Sequence, residues 1–489
     1  MKKAFSPLVL IIPLYLYLAF STLFGNPLVW PDETVYADIA RNIILEGRLG
    51  TDLLKGMIPG FESHSYWSPP LFMYSLAGWF KIFGFSILNQ RLFSVFLGAI
   101  AIALFYAAAS KLSRLKKPSY IFPATATLLL VIDQVFLKAS RISRPEILVL
   151  AFTAAAFLIY LKSFDYPKPG KQNIFLFLCG LLLSLALVTH MLALCFALAL
   201  FLALIISRGK DWLILKNYYF FILGIILPTA IRLLSIYPHY SYLLDQLNLI
   251  SNSSNYTLSL YIYITSQPFP VKMSYLINLL VSAGFIIFTL LNRTQGRIAL
   301  ALILIFSWIF TFVGSIQWYL AYPVFFSYLA LFVMSDHYFS LKKKHPPLIY
   351  PKLALTAACL SLLYFNLSWF YTVFSLHKSD DYQIFSRQIT DNIPPGKTVY
   401  LSSLPDAYYP LSQGRNKLYT YPTFTLDMID YQKILDDTDY LVFNNFYSPP
   451  SVSEYAALYL NKNIESMIQI NEPYQYAIIK LKDKNLRTP

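Results

Sequence analysis

LNQRLFSVFLGAIAIALFYAAAS, residues 88–110, is the stretch whose reading decides the class of fold. From Leu92 to Ser110 it carries no charge. A hydrocarbon layer about 30 Å thick takes roughly 20 apolar residues in helix to cross. A helix lying on a soluble core would instead interrupt the run with polar residues every third or fourth position. Comparable runs recur at 7–24, 119–137, 146–161, 174–190, 191–207, 218–236, 273–291, 298–314, 318–335 and 353–374. Together they predict about eleven spans, with a turn at Thr189-His190-Met191 dividing 174–190 from 191–207. The apolar stretch behind Lys2 and Lys3 has no small-x-small cleavage site before Asn26-Pro27, so it reads as the first helix.

Composition agrees: 57% of the 489 residues are hydrophobic and only 13% are charged, against about a quarter charged in soluble domains. The net charge of +14 is a topology signal and not a nucleic-acid footprint. With the N-terminus inside, alternate loops carry Lys2/Lys3, Lys111/Arg114/Lys116/Lys117, Lys162/Lys168/Lys171, Arg208/Lys210/Lys216, Arg293/Arg297 and Lys342/Lys343/Lys344/Lys352. That is the positive-inside bias of a cytoplasmic membrane protein. Cys179, Cys195 and Cys359 all fall in apolar runs, so no disulfide framework or thiolate metal site is indicated.

Three regions are expected on the outer side. The first, about 25–89, is too long for a connector. It contains an amphipathic segment at Glu33–Glu46 and an aromatic one at Pro70–Phe85, both expected as juxtamembrane helices lying at the surface. The second, about 237–272, is rich in Tyr, Ser and Asn; it reads equally well as a cover over a lipid or sugar site and as an inert connector. The third, 376–489, alternates helical and extended patterns: Ser379–Asn392, Asp427–Leu435 and Ser451–Asn461 helical, Lys397–Ser403, Asp439–Asn445 and Tyr474–Leu481 extended. It predicts a small C-terminal α/β domain following a membrane domain at 1–375. An odd number of spans places that domain outside, beside the outer loops, where acceptor docking is its expected role.

Asp32-Glu33 follows Asn26-Pro27-Leu28-Val29-Trp30-Pro31 directly beyond the first span. Ionisable residues at such a place mark a functional site, yet Asp32 also stands where a helix N-cap belongs. The residues alone leave both readings open.

The stretch Pro31-Asp32-Glu33-Thr34-Val35-Tyr36-Ala37-Asp38-Ile39-Ala40-Arg41 resembles the first outer-loop motif of the GT-C glycosyltransferases. The bacterial aminoarabinose-transferase and protein O-mannosyltransferase-like branch is the most similar. Pro69-Pro70-Leu71, Phe83-Gly84, Gln90-Arg91-Leu92-Phe93-Ser94, Arg141-Ile142-Ser143-Arg144-Pro145-Glu146 and Trp318-Tyr319-Leu320 with Pro323 follow in the family's order. Departures stand at Ser68 (Lys in the family), His190-Met191 (Lys-Gly), Trp318 (Arg) and Glu146 (Asp); they bear on phosphate contacts and donor identity, not on fold.

The resemblance implies a GT-C fold and an inverting transfer of a sugar from a polyprenyl-phosphate donor to a lipid, glycan or protein acceptor. The site would face away from a bacterial cytoplasm, as in lipid A or protein glycosylation. Asp32 and Glu33 would be catalytic, with Asp32 the base. Tyr36, Tyr66, Ser68, Arg91, Arg144, Glu146, His190, Arg232 and Tyr319 would bind substrate. A carboxylate is a weak base for an alcohol, so the proton leaves late. The departing phosphate needs cations and not an acid. No cofactor is required, although a divalent metal is compatible with the chemistry.

Simpler readings stand beside these. Arg91 and Arg232 suit snorkelling to headgroups, Arg144 a surface lipid phosphate, and Glu146 an ion pair with Arg144. His190 suits a helix end, and the tyrosines suit interfacial anchoring. A transporter or lipid flippase is the principal alternative function, but it would place charges at the bilayer midplane and repeat its halves. A non-catalytic receptor built around the C-terminal domain is the third.

Overall fold

The computed structural model describes residues 6–21, 23, 29–66, 69–113, 121–166, 169–208, 218–252, 264–314, 317–341, 349–376, 381–401, 407–420, 435–443, 462–472 and 475–487. The expected elements at Asp427–Leu435 and Ser451–Asn461 lie almost wholly outside them, and the motif residue Ser68 lies outside as well.

The helices are α1 (Leu8–Ser21), α2 (Pro31–Glu46), α3 (Leu71–Phe83), α4 (Ile87–Leu112), α5 (Ile121–Val131) and α6 (Gln134–Ala139). They continue with α7 (Pro145–Ser163), α8 (Pro169–Thr189), α9 (Leu194–Arg208), α10 (Tyr219–Ile236) and α11 (Tyr240–Asn252). After these come α12 (Phe269–Leu291), α13 (Gln295–Gly314), α14 (Ala321–Ser340), α15 (Ile349–Leu376), α16 (Asp381–Asn392) and α17 (Tyr408–Gln413). The strands are β1 (Thr398–Leu401), β2 (Lys417–Thr420), β3 (Tyr440–Phe443), β4 (Ile464–Ile470) and β5 (Tyr476–Leu481).

Among the described residues, 8 helices are long and apolar enough to cross a membrane. The remaining three expected spans coincide with the shorter apolar helices Leu8–Ser21, Ile121–Val131 and Met191–Ser207. The run at 119–137 is not one helix. Asp133 interrupts it: its Oδ1 accepts the Val135 and Phe136 amides at 2.8 and 3.1 Å, capping α6. Within the Tyr- and Asn-rich region at 237–272, the described residues include α11 and the start of α12.

The chain divides into two compact units. The first holds residues 1–21, 94–235 and 255–376. Its central helix is α14, apolar all round and buried from Ala321 through Asp336, as such a helix must be. A polar knot ties α14 to its neighbours: Tyr328 donates to Asp133 Oδ2 at 2.8 Å, and Asn366 donates to the Tyr328 hydroxyl at 3.2 Å. Asn366 also accepts the Gln134 amide at 3.2 Å, so the knot is closed by backbone. Helices α8 and α10 cross at Gly180 and Gly224, where a Cβ on Gly224 would lie 2.7 Å from the Leu181 nitrogen. Beside that crossing Ser184 donates to the Ile225 carbonyl at 2.7 Å and meets Thr229 at 2.8 Å. Small residues with a hydroxyl clasp are the usual currency of close helix packing in lipid.

The second unit holds residues 22–93, 236–254 and 377–489. Among the described residues its five strands run in the order β2-β1-β3-β5-β4. β1 pairs in parallel with β2 and β3, while β5 pairs antiparallel with β3 and β4. Strands β1, β3 and β5 occupy expected extended segments, and α16 an expected helix. β2 and β4 were not expected; β4 is exposed along most of its length and lacks an alternating apolar signal.

Gly224→Ala is expected to lower the detergent melting midpoint of the whole protein, with a cost of about 1–3 kcal/mol from overpacking the crossing. A midpoint equal to wild type would mean that α8 and α10 separate freely.

Candidate active site

Helix α2 begins at Pro31, so Asp32 is inside the first turn and is not its cap. Proline suits that first position because its missing N–H has no partner to lose there. The capping is done by Glu33, whose Oε2 accepts the Trp30 amide at 2.9 Å while the Glu33 amide donates to the Trp30 carbonyl at 2.9 Å. Gly47, with φ of 68°, ends the helix in the left-handed conformation and returns its amide to Asn42.

Glu33 is 0% exposed, and so is Arg91 on the first turns of α4. The two form a two-pronged ion pair, Nη2 to Oε2 at 2.9 Å and Nε to Oε1 at 3.2 Å. Nη1 of Arg91 donates to the Leu23 carbonyl, and Gln90 donates to the Glu33 carbonyl at 2.7 Å. Arg91 is therefore enclosed and engaged by protein instead of reaching to headgroups. Asp32, one residue away, is half-buried. Tyr36 is buried with its ring edge-on to Phe72 at 5.5 Å. Tyr66 is buried too; its amide donates to Gln246 at 2.8 Å and its ring stacks on His64 at 5.6 Å.

One turn and a half beyond Asp32, the same helix carries a second buried carboxylate. Asp38 accepts hydrogen bonds from Thr51 at 2.5 Å, Tyr408 at 2.8 Å and Asn42 at 3.4 Å. Burial pushes its pKa up, and the hydrogen bonds from Thr51 and Tyr408 pull it back. A histidine pair also belongs to this unit: His64 and His239 have ring centroids 3.9 Å apart, with Tyr242 stacked on His64 at 6.0 Å. Burial first, and then the neighbouring His239, lowers the pKa of His64.

In the other unit, α7 starts at Pro145 with Arg144 before it and Glu146 in its first turn. Both side chains are buried, and Arg144 Nη2 meets Glu146 Oε1 at 2.9 Å. The Arg144 guanidinium also lies over the Trp318 ring, 5.7 Å from its centroid. His190 caps the short turn between α8 and α9, its Nδ1 accepting the Leu192 amide at 3.2 Å. That bond leaves the proton of the neutral ring on Nε2, which lies 3.5 Å from the Tyr319 hydroxyl. Tyr322, one turn further on, stacks parallel to Tyr319 with centroids 6.3 Å apart. Arg144, Glu146, His190 and Tyr319 are thus brought together, whereas Arg232 stands half-buried towards the end of α10. Among the described residues no group of three or more His, Cys, Asp or Glu side chains could hold a metal ion.

The pattern reading missed Asp38, Thr51, Tyr408, His239 and Asp133. Asp133 had a signal, a lone charge within an apolar run. Thr51 and Tyr408 had none: Tyr408 lies 370 residues from Asp38, and Thr51, 13 residues from it, stands beyond the end of the helix, outside its i, i+4 spacing.

A family model described as dolichyl-phosphate-mannose-protein mannosyltransferase matches residues 67–236. An uncharacterised protein of Aquifex aeolicus is 27% identical over 169 residues, 34% of this chain and 31% of that protein. The chain therefore spans about a third of the curated relative it matches. The crystal structure of ArnT from Cupriavidus metallidurans bound to undecaprenyl phosphate superposes with a TM-score of 0.63 at 13% identity, covering 98% of this chain and 99% of that one. The oligosaccharyltransferase of Archaeoglobus fulgidus in its apo form gives 0.56 at 12% identity, over 91% and 70%. At such identities the solved structures establish a common fold.

The two adjacent acids are expected to differ in stability. Glu33→Gln leaves Arg91 buried without its counter-charge and is expected to cost about 3–5 kcal/mol. Asp32→Asn is expected to change stability by less than about 1 kcal/mol. Thermal unfolding in detergent distinguishes them, and equal losses would refute the separation.

Proposed function

We propose that this multi-pass membrane protein, which shares its fold with ArnT and carries the matched mannosyltransferase segment at 67–236, is a GT-C glycosyltransferase that moves a sugar from a polyprenyl-phosphate donor to an acceptor at the outer face of a bacterial cytoplasmic membrane. The observation that carries this reading is the first turn of α2. There Glu33 is consumed by Arg91 and the capping bonds, while its neighbour Asp32 is held on the same rigid turn and remains half-buried.

Asp32 acts as the general base. The acceptor oxygen attacks the anomeric carbon from the side opposite the phosphate; the new C–O bond forms as the bond to the phosphate oxygen breaks. The electron pair leaves with the polyprenyl phosphate, and the acceptor proton ends on Asp32. One displacement inverts the anomeric centre. In the other unit Arg144, His190 through Nε2–H, and the Tyr319 hydroxyl present donors of the kind that phosphate oxygens accept, with Glu146 orienting Arg144. Glu33 and Arg91 act by holding α2. The outer-face assignment is supported by the basic loops and by the odd number of apolar runs. The transporter reading is weaker, because the buried ion pairs sit at helix starts, Glu33 on α2 and Glu146 on α7.

Purified wild type, given a panel of polyprenyl-phosphate sugars, is expected to transfer one of them. Asp32→Asn is expected to retain donor binding and to lose at least about a hundredfold in turnover. Undiminished transfer by the variant would remove Asp32 from the chemistry.

Because guanidinium and imidazole donors meet the phosphate charge, the reaction is expected to proceed in EDTA at an unchanged rate. Loss of turnover restored by a divalent cation would show that a metal takes that role.

A further inference from the structure

Helix α17 reaches α2 through two adjacent tyrosines. Tyr408 is fully buried, and its hydroxyl donates to Asp38 Oδ1 at 2.8 Å. The other oxygen of that carboxylate accepts from Thr51 at 2.5 Å and from Asn42 at 3.4 Å. Asn42 donates to the Gly50 carbonyl at 2.9 Å, and the Thr420 amide at the end of β2 donates to the Leu53 carbonyl at 2.9 Å. Tyr409 packs on Phe85 at 5.3 Å, and the same ring carries the Arg41 guanidinium at 5.4 Å. The Tyr409 hydroxyl is buried within electrostatic reach of Glu33 and Arg91.

The positions of these bonds around α2 decide what they do. A helix turns about 100° per residue, so Glu33 lies about 100° to one side of Asp32, Asp38 about 120° and Asn42 about 80° to the other. Glu33 is pinned by Arg91 and Gln90; Asp38 and Asn42 are pinned by Tyr408, Thr51 and Gly50. Two buried anchors thus flank the strip that carries Asp32 and oppose rotation in either sense. One anchor comes from α4, and the other comes partly from the C-terminal segment.

We propose that Tyr408, acting through Asp38, is a positioning residue for sugar transfer, so that the C-terminal α/β segment sets the rotation of the helix that carries the base. The inference rests on reading Asp32 as that base. It makes the C-terminal segment part of the catalytic apparatus and gives it a role beyond acceptor docking. Tyr408 touches no reacting atom; its effect appears in turnover and not in donor binding, because a small displacement of a catalytic group raises the barrier without altering remote contacts.

The test uses the full-length protein in detergent with three substitutions. Tyr408→Phe removes one hydroxyl, Asp38→Asn weakens its acceptor, and Tyr476→Phe is the control. Tyr476 is another buried tyrosine of this unit, bonded to Gln388 at 2.9 Å. Tyr408→Phe is expected to lower kcat about tenfold with donor KM within about twofold, and combining it with Asp38→Asn is expected to add little. The amides of residues 34–42 are expected to exchange faster with deuterium in Tyr408→Phe and not in Tyr476→Phe. Wild-type kcat in Tyr408→Phe, or equal losses in Tyr408→Phe and Tyr476→Phe, would overturn the inference. If the wild type transfers no sugar from any donor, the glycosyltransferase reading fails separately. Amide exchange then decides whether Tyr408 pins α2: acceleration confined to 34–42 upholds the pin, and unchanged exchange overturns it.

Discussion

The ion pair between Glu33 and Arg91 is the constraint on which the proposed chemistry depends. Both side chains are wholly shielded from solvent, where each charge alone would carry a desolvation cost of several kcal/mol. That cost is tolerable only because almost every polar atom is engaged: two prongs between the partners, the Trp30 amide on the carboxylate, and the Leu23 carbonyl on the guanidinium. The geometry also joins backbone to backbone, since Gln90, next to Arg91, holds the carbonyl of Glu33 itself. A helix start secured in this way cannot drift without exposing an unpaired buried charge. Asp32, adjacent to it, inherits a fixed position.

Two neighbouring acids that look alike in sequence therefore stand in different surroundings, Glu33 buried in an ion pair and Asp32 half-buried. Sequence pattern located the pair, because carboxylates directly after an apolar span are rare. It could not divide their labour, since the deciding partner, Arg91, is remote in the chain and sits at the start of an apolar run where snorkelling is the ordinary reading. The helix register was also off by a small amount: starting α2 at Pro31 moves Asp32 from the cap into the first turn and passes the capping bonds to Glu33.

What was legible followed from local rules. The apolar runs, the break at His190 and the helices at 31–46 and 71–83 are written in periodicity, proline and length. In the C-terminal part, β1, β3 and β5 carry the Tyr-, Val-, Leu- and Ile-rich signal of inner strands. β4 has most of its residues exposed at the end of the sheet and so has no pattern to detect, while β2, as short as β1 and β3, lies at the other edge and opens on an exposed lysine. The knot of Asp133, Tyr328 and Asn366 and the bond from Tyr408 to Asp38 were illegible for a different reason. They are tertiary choices between distant residues, and local propensity does not encode them.

The charge arrangement bears on the proposed recognition of a donor phosphate. Arg91 is offset by Glu33, and Arg144 by Glu146, so each cation carries its own carboxylate. Where the family has Lys, this chain has Ser68 and His190, which further reduces the fixed positive charge. On the proposed reading, Arg144 and His190 would hold an anion through the direction of their donors more than through excess charge: the Arg144 fork is oriented by Glu146, and the His190 tautomer is set by the Leu192 amide. Preorganised donors are also what a leaving phosphate needs, because they gain strength as its charge develops and require no rearrangement when the bond breaks. If the proposed transfer takes place there, neutral pairing reconciles two demands, ionisable residues that remain stable inside a membrane protein and donors aimed where negative charge would appear.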